Sequence, residues 1–201
     1  AWNYSIATDV LGYLVEVVSG MPFEKFLMER LIKPLKLVDT DFHVPEGKLA
    51  RFAANYAPDG KGGLTLIDDP AKSPYLKPRK VNSGGGGLVS TAADYARFCQ
   101  FMLNKGELDG VRLLGRKTVE LMTADHLPPG TRMGADMFRF EALVPGPEMG
   151  QGFGLGFAVR TQPGRSPLHG SAGDYFWGGA YGTYFWIDPK EDLWAMLMIQ
   201  A

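Results

Sequence analysis

Two apolar runs near the C-terminal end decide the fold: Tyr181-Gly182-Thr183-Tyr184-Phe185-Trp186-Ile187 and Leu193-Trp194-Ala195-Met196-Leu197-Met198-Ile199, joined by Asp188-Pro189-Lys190-Glu191-Asp192. Both runs are rich in aromatic and branched side chains, and the polar linker has the composition of a hairpin loop. The pair reads as two antiparallel strands. Successive side chains of a strand point to opposite faces. Residues 193–199 are apolar on both alternating faces, so their sheet needs cover on both sides and helices are expected to flank it. A third strand is expected over 153–160, which makes three antiparallel strands after residue 150.

Upstream the period changes. Val10, Leu11, Leu14, Val15 and Val18 form one apolar stripe of a helix over 5–18. Ser19-Gly20 stops it, and Pro22 opens a second helix carrying Phe23, Phe26, Leu27 and Met28, which ends before Pro34. Residues 38–82 read as loop. After Ser83-Gly84-Gly85-Gly86-Gly87 comes a helix capped by Ser90 or Thr91. Asp94 stands three residues after Thr91, Tyr95, Phe98, Cys99, Met102 and Leu103 share one face, and Gly106 ends it. A short helix is expected over 115–123 with Val119 and Met122 inward. Residues 125–150, with Pro128, Pro129, Pro145 and Pro147, read as a long loop. Helices followed by antiparallel strands make an α+β chain: a helical and loop region over 1–145 and the strands of an α/β region over 146–201.

Composition narrows the function. Hydrophobic residues make up 45% and charged residues 21% of 201 residues, a globular balance. The net charge of −1 leaves no basic excess for a phosphate backbone, so no nucleic-acid partner is expected. No run of 18 apolar residues exists to span a membrane. The single cysteine, Cys99, excludes an internal disulfide and a cysteine-based zinc site, and reads as a buried, inert thiol. The three histidines, His43, His126 and His169, show no metal-ligand spacing, and no cofactor is expected. Glycine is the outlier, at 26 residues, where about 14 would be usual.

Several constellations fail. No Gly-x-Ser-x-Gly elbow occurs. His169-Gly170-Ser171 places histidine and serine side by side, whereas a triad is assembled from distant segments, so the tripeptide reads as a loop leading into a strand. Gly84 to Gly87 lack the Gly-Lys-Ser/Thr that a phosphate loop needs. Two features remain. Tyr4-Ser5-Ile6 opens a helix, and Trp177-Gly178-Gly179-Ala180 opens a strand. On their own they admit plain readings: Tyr4 as a hydrophobic staple at a helix start, and the glycines as room for a packed helix.

Together, in this order and at this separation, the two segments resemble motifs of the serine β-lactamase and penicillin-binding-protein superfamily. The resemblance is to its class C-like branch of family VIII esterases and β-lactamase-related hydrolases. Tyr4-Ser5-Ile6 resembles the family's Tyr-x-Asn element, 83–94 a stretch typical of the branch, and Trp177-Gly178-Gly179 the Trp-Gly-Gly form of its Lys-Thr-Gly strand. The resemblance implies an acyl-enzyme mechanism on a small ester or lactam. Tyr4 would be general base or proton shuttle, and the Ala180 N–H an oxyanion donor. Ile6, Trp177, Gly178 and Gly179 would line the substrate site. One oxyanion donor is worth about 2.7–4 kcal/mol.

The chain departs from the pattern at three points. Ile6 stands where the family has asparagine, which removes an amide that would hold a lactam. Trp177 stands where it has lysine, which removes a cation for a substrate carboxylate. Both point to neutral esters. Third, none of the seven serines, at 5, 19, 73, 83, 90, 166 and 171, begins a Ser-x-x-Lys. In the family that motif precedes the tyrosine element, so this chain is expected to be a fragment with its nucleophile upstream. It would be inactive alone, with an incomplete sheet and the missing part as a possible partner. A carboxylesterase on small or medium acyl groups is the leading expectation. A β-lactamase or D-Ala-D-Ala peptidase and a non-catalytic scaffold are the alternatives.

Overall fold

The computed structural model describes residues 2–131 and 146–200, so most of the expected 125–150 loop, Pro145 included, lies outside the described residues. Helix α1 spans Ala7–Ser19. The Ala7 N–H is held by the Ser5 hydroxyl at 3.2 Å. Gly20, in the left-handed conformation at φ 67°, closes the helix by donating to the Glu16 carbonyl. Helix α2, Phe23–Leu27, follows Pro22 and runs on as a π-helical turn over Met28–Ile32.

The expected loop over 38–82 is more ordered than its sequence suggests. It holds a 3-10 turn at Glu46–Arg51, a hairpin of β1 (Asn55–Pro58) and β2 (Leu64–Asp68), and a second 3-10 turn at Pro74–Leu76. A side chain shapes the hairpin loop: the Asp59 carboxylate accepts the N–H groups of Lys61 at 2.7 Å and Gly63 at 2.8 Å.

Helix α3, Ala92–Leu103, begins at the expected cap, with the Asp94 N–H donated to the Thr91 hydroxyl at 3.3 Å. The Asp94 carboxylate is buried and turned to another use. It accepts the Asp39 N–H at 2.7 Å and the Thr40 hydroxyl at 2.8 Å, tying a distant segment to the helix start. The two-residue strands β3 (Glu107–Leu108) and β4 (Val111–Arg112) precede α4, Arg116–Met122.

Among the described residues, five antiparallel strands follow in sequential order: β5 (Gln151–Phe153), β6 (Ala158–Arg160), β7 (Tyr175–Gly178), β8 (Tyr184–Asp188) and β9 (Leu193–Leu197). This corrects the count of three. The run 153–160 is two strands, because the chain turns where the Gly154 N–H bonds the Phe157 carbonyl at 2.8 Å. Trp177 and Gly178 are the last two residues of the central strand β7, so the tryptophan-glycine segment ends one strand where it was expected to open one.

The chain divides into two compact units. One comprises residues up to Tyr4, 96–179 and 184–197. Its core joins Cys99, Phe101, Met102 and Val119 to Phe157, Val159, Tyr175, Phe185 and Ile187 of the sheet region. Trp194 Nε1 on β9 donates to Gln100 Oε1 on α3 at 2.9 Å, so a helix meets one face of this sheet. Cover is expected on both faces, whereas Leu193 and Leu197 on the alternate face of β9 are about half-exposed. The other unit comprises 5–95, 180–183 and 198 onward, with a core of Phe23, Ile32, Leu35, Leu37, Phe42 and Val44. The apolar stripe expected on α1 is present and lies uncovered. Val10, Leu11, Leu14 and Val18 of its stripe are 50–78% exposed, and Gly12 is its one buried residue.

Candidate active site

Gly12 is buried because the glycine run lies against it. A Cβ on Gly84 would stand 2.1 Å from the Thr8 carbonyl oxygen and 3.1 Å from the Gly12 nitrogen, so only glycine lets the run meet the helix backbone. Ser83 donates its hydroxyl to the Asp9 carboxylate and accepts the Gly85 N–H at 3.1 Å. The run therefore braces the first turns of the helix that starts just after Tyr4. Part of the glycine excess is explained by backbone approach, with no phosphate involved.

Tyr4 and Trp177, from opposite ends of the chain, meet as a tilted pair with ring centroids 5.7 Å apart. Trp177 meets Phe153 edge-on at 5.3 Å, and Phe153 meets Trp2 at 4.7 Å. Each aromatic pair adds about 0.5–1.5 kcal/mol beyond its burial. The row Tyr4, Trp177, Phe153, Trp2 thus joins the two sequence-predicted motifs through apolar contact. Tyr4 stays 45% exposed. Burial pushes Tyr184 up to about 12 and moves Tyr175 higher still.

The ladder around Trp177 is one-sided. β7 pairs with β8 along its whole length, Trp177 opposite Phe185 and Gly178 opposite Tyr184. Its pairing with β6 ends at Phe176. Trp177 and Gly178 therefore run past the end of β6. Gly179 closes this stretch of the unit, and Ala180 begins the short segment assigned to the other unit. Ile6 also belongs to that second unit, at the N-cap position of α1 and 73% exposed, with no side-chain group to cap the helix.

A buried ion pair that sequence reasoning missed holds the approach to β7. Arg160 Nε donates to Asp174 Oδ2 at 2.8 Å, and both side chains are nearly inaccessible. Arg160 also donates to the Leu168 and His169 carbonyls at 3.1 and 3.2 Å. The Ser171 N–H is held by Asp188 Oδ2 at 3.0 Å. Burial pushes the Asp174 carboxyl above its ordinary value, and the Arg160 guanidinium opposes that shift. The segment 168–174, His169-Gly170-Ser171 included, is thus a braced loop leading into β7. A charged Arg160 inside an apolar strand was the available signal.

The family profile described as Beta-lactamase matches residues 1–201, and the chain belongs to that family. Protein Rv1367c of Mycobacterium tuberculosis is 37% identical over 202 residues, covering 98% of this chain and 48% of that protein. Esterase EstB of Burkholderia gladioli is 28% identical, covering 98% of this chain and 49% of the esterase. The unliganded structure of simvastatin synthase (LovD) from Aspergillus terreus superposes with a TM-score of 0.80 at 25% identity, covering 99% of this chain and 50% of that one. The chain spans about half the length of these relatives. Its fold is the α+β arrangement of β-lactamases and transpeptidases, and its superfamily of β-lactamase-like hydrolases includes esterases and acyltransferases.

Proposed function

We propose that the full-length protein carrying this chain is a serine hydrolase acting through an acyl-enzyme, a carboxylesterase on small or medium acyl esters. The observation that carries the reading is the contact of the Tyr4 ring with Trp177. In this reading the Ser-x-x-Lys nucleophile lies outside the chain. Tyr4 takes the proton of the serine hydroxyl as the ester carbonyl is attacked, and returns it to the departing alkoxide. The Ala180 N–H stabilises the oxyanion. Water then attacks the acyl-serine through the same tyrosine. A cationic neighbour such as the family's lysine would favour the phenolate.

Neutral esters fit better than lactams. Trp177 presents an aromatic wall where a cation would hold a carboxylate, and Ile6 offers no amide. The Burkholderia relative bears an esterase name, in keeping with this choice. The experiment compares p-nitrophenyl butyrate with nitrocefin as substrates of the full-length protein. The proposal expects the ester to be turned over with the larger kcat/KM by at least tenfold. Preferred nitrocefin turnover favours a β-lactamase, and no turnover of either, with no Ser-x-x-Lys upstream, favours a scaffold.

A further inference from the structure

Histidine spacing in the sequence suggests no metal site, yet folding gathers three ligand-bearing side chains from two distant segments. Phe42 is buried and packs on Phe23 at 5.7 Å between ring centroids. That contact sets the neighbours of both phenylalanines side by side. Asp41 and His43 flank Phe42, and Glu24 follows Phe23 in the first turn of α2. One ligand atom from each of Glu24, Asp41 and His43 lies within 4.8 Å of the others. The Asp41 backbone is fixed by a two-way bridge to Val89, with N···O distances of 3.1 and 2.8 Å.

Polar atoms around the cluster are left over. His43 Nδ1 is buried without a hydrogen-bond partner and stands 3.6 Å from Asp41 Oδ1, beyond bonding range. Asn82 donates through Nδ2 to Glu24 Oε2 at 3.2 Å, while its buried Oδ1 has no partner. Two carboxylates and an imidazole thus converge. We propose that Glu24, Asp41 and His43 form a binding site for a divalent transition-metal ion of the zinc type. Imidazole with carboxylate suits zinc and its neighbours, whereas magnesium and calcium prefer all-oxygen shells. A bound cation would balance the two carboxylates and give the buried His43 nitrogen a partner.

The site needs only a small closure. Ligands on one tetrahedral zinc at about 2.1 Å sit roughly 3.4 Å apart. Rotation of the flexible Glu24 side chain can supply the difference. The metal would staple the start of α2 to the 41–43 segment. This role is structural and independent of the hydrolase proposal.

Zn²⁺ titration of chelator-treated full-length protein by isothermal calorimetry tests the site, with Co²⁺ absorption as a second readout. The proposal expects one saturable ion per chain. His43→Ala and Glu24→Gln should each weaken binding at least tenfold, and His169→Ala should leave it unchanged. Visible Co²⁺ bands should be present in the wild type and lost in His43→Ala. Absence of saturable Zn²⁺ binding by the wild type overturns the proposal, as does binding that survives in both cluster variants. If a cluster variant misfolds, the wild-type Co²⁺ spectrum decides: nitrogen–oxygen ligation supports the site, and a spectrum of hexa-aquo cobalt contradicts it.

Discussion

A phenol is a poor base at neutral pH unless its surroundings favour the phenolate. Burial raises Tyr175 and Tyr184, whereas Tyr4 is half-exposed beside Trp177. Cys99 behaves like the buried tyrosines. It is fully buried in α3, and desolvation pushes its thiol up to about 12. The thiolate is the reactive form, so native protein at pH 8 should resist iodoacetamide while unfolded protein labels at one site. Rapid labelling under native conditions, read by intact mass, would contradict the packing of α3. Arg160 and Asp174 make a second residue-scale case. Removing one partner of a buried pair costs about 3–5 kcal/mol, and Arg160→Leu should lower stability in chemical denaturation by about that much. A loss below 1 kcal/mol would mean that the pair does not brace the loop before β7.

Among the elements, α1 and the glycine run depend on each other. Gly84→Ala puts a methyl group into the Thr8 carbonyl, so it should destabilise by about 1–3 kcal/mol. Gly86→Ala meets nothing within 4 Å and should be tolerated. Thermal unfolding of the two variants separates close approach from mere flexibility; equal midpoints would refute the brace. The sequence showed that glycines were in excess but could not say what approached them, since the partner backbone lies some seventy residues away. The helices were legible because their apolar periods and caps are local. The β1–β2 hairpin was not, since Leu64, Leu66 and Ile67 remain exposed and give no alternating apolar face. The break in 153–160 was hidden by apolar residues continuing through the turn. The two motif segments of the candidate site were legible through their resemblance to a family. The aromatic row and the Arg160 brace required three dimensions.

At the scale of the whole chain, the expected apolar faces are present but many are uncovered. Beyond the α1 stripe, Tyr13 and Val17 are 67% and 61% exposed, and Leu193 and Leu197 of β9 are about half-exposed. An exposed apolar helix face such as that of α1 marks a contact face, and the relatives are about twice as long as this chain. The isolated 201-residue chain should therefore bind the dye ANS strongly and self-associate, and the full-length protein should do neither. Equal dye binding by both would mean that the α1 face is exposed in the complete protein too.

The central claim is that Tyr4 serves acyl transfer in that complete protein. Its most direct test is stopped-flow turnover of p-nitrophenyl butyrate by the full-length wild type and Tyr4→Phe. The account predicts a stoichiometric burst of p-nitrophenol in the wild type, and a kcat lowered by about 10²- to 10⁴-fold in the variant with KM little changed. Near-normal turnover by Tyr4→Phe would contradict it.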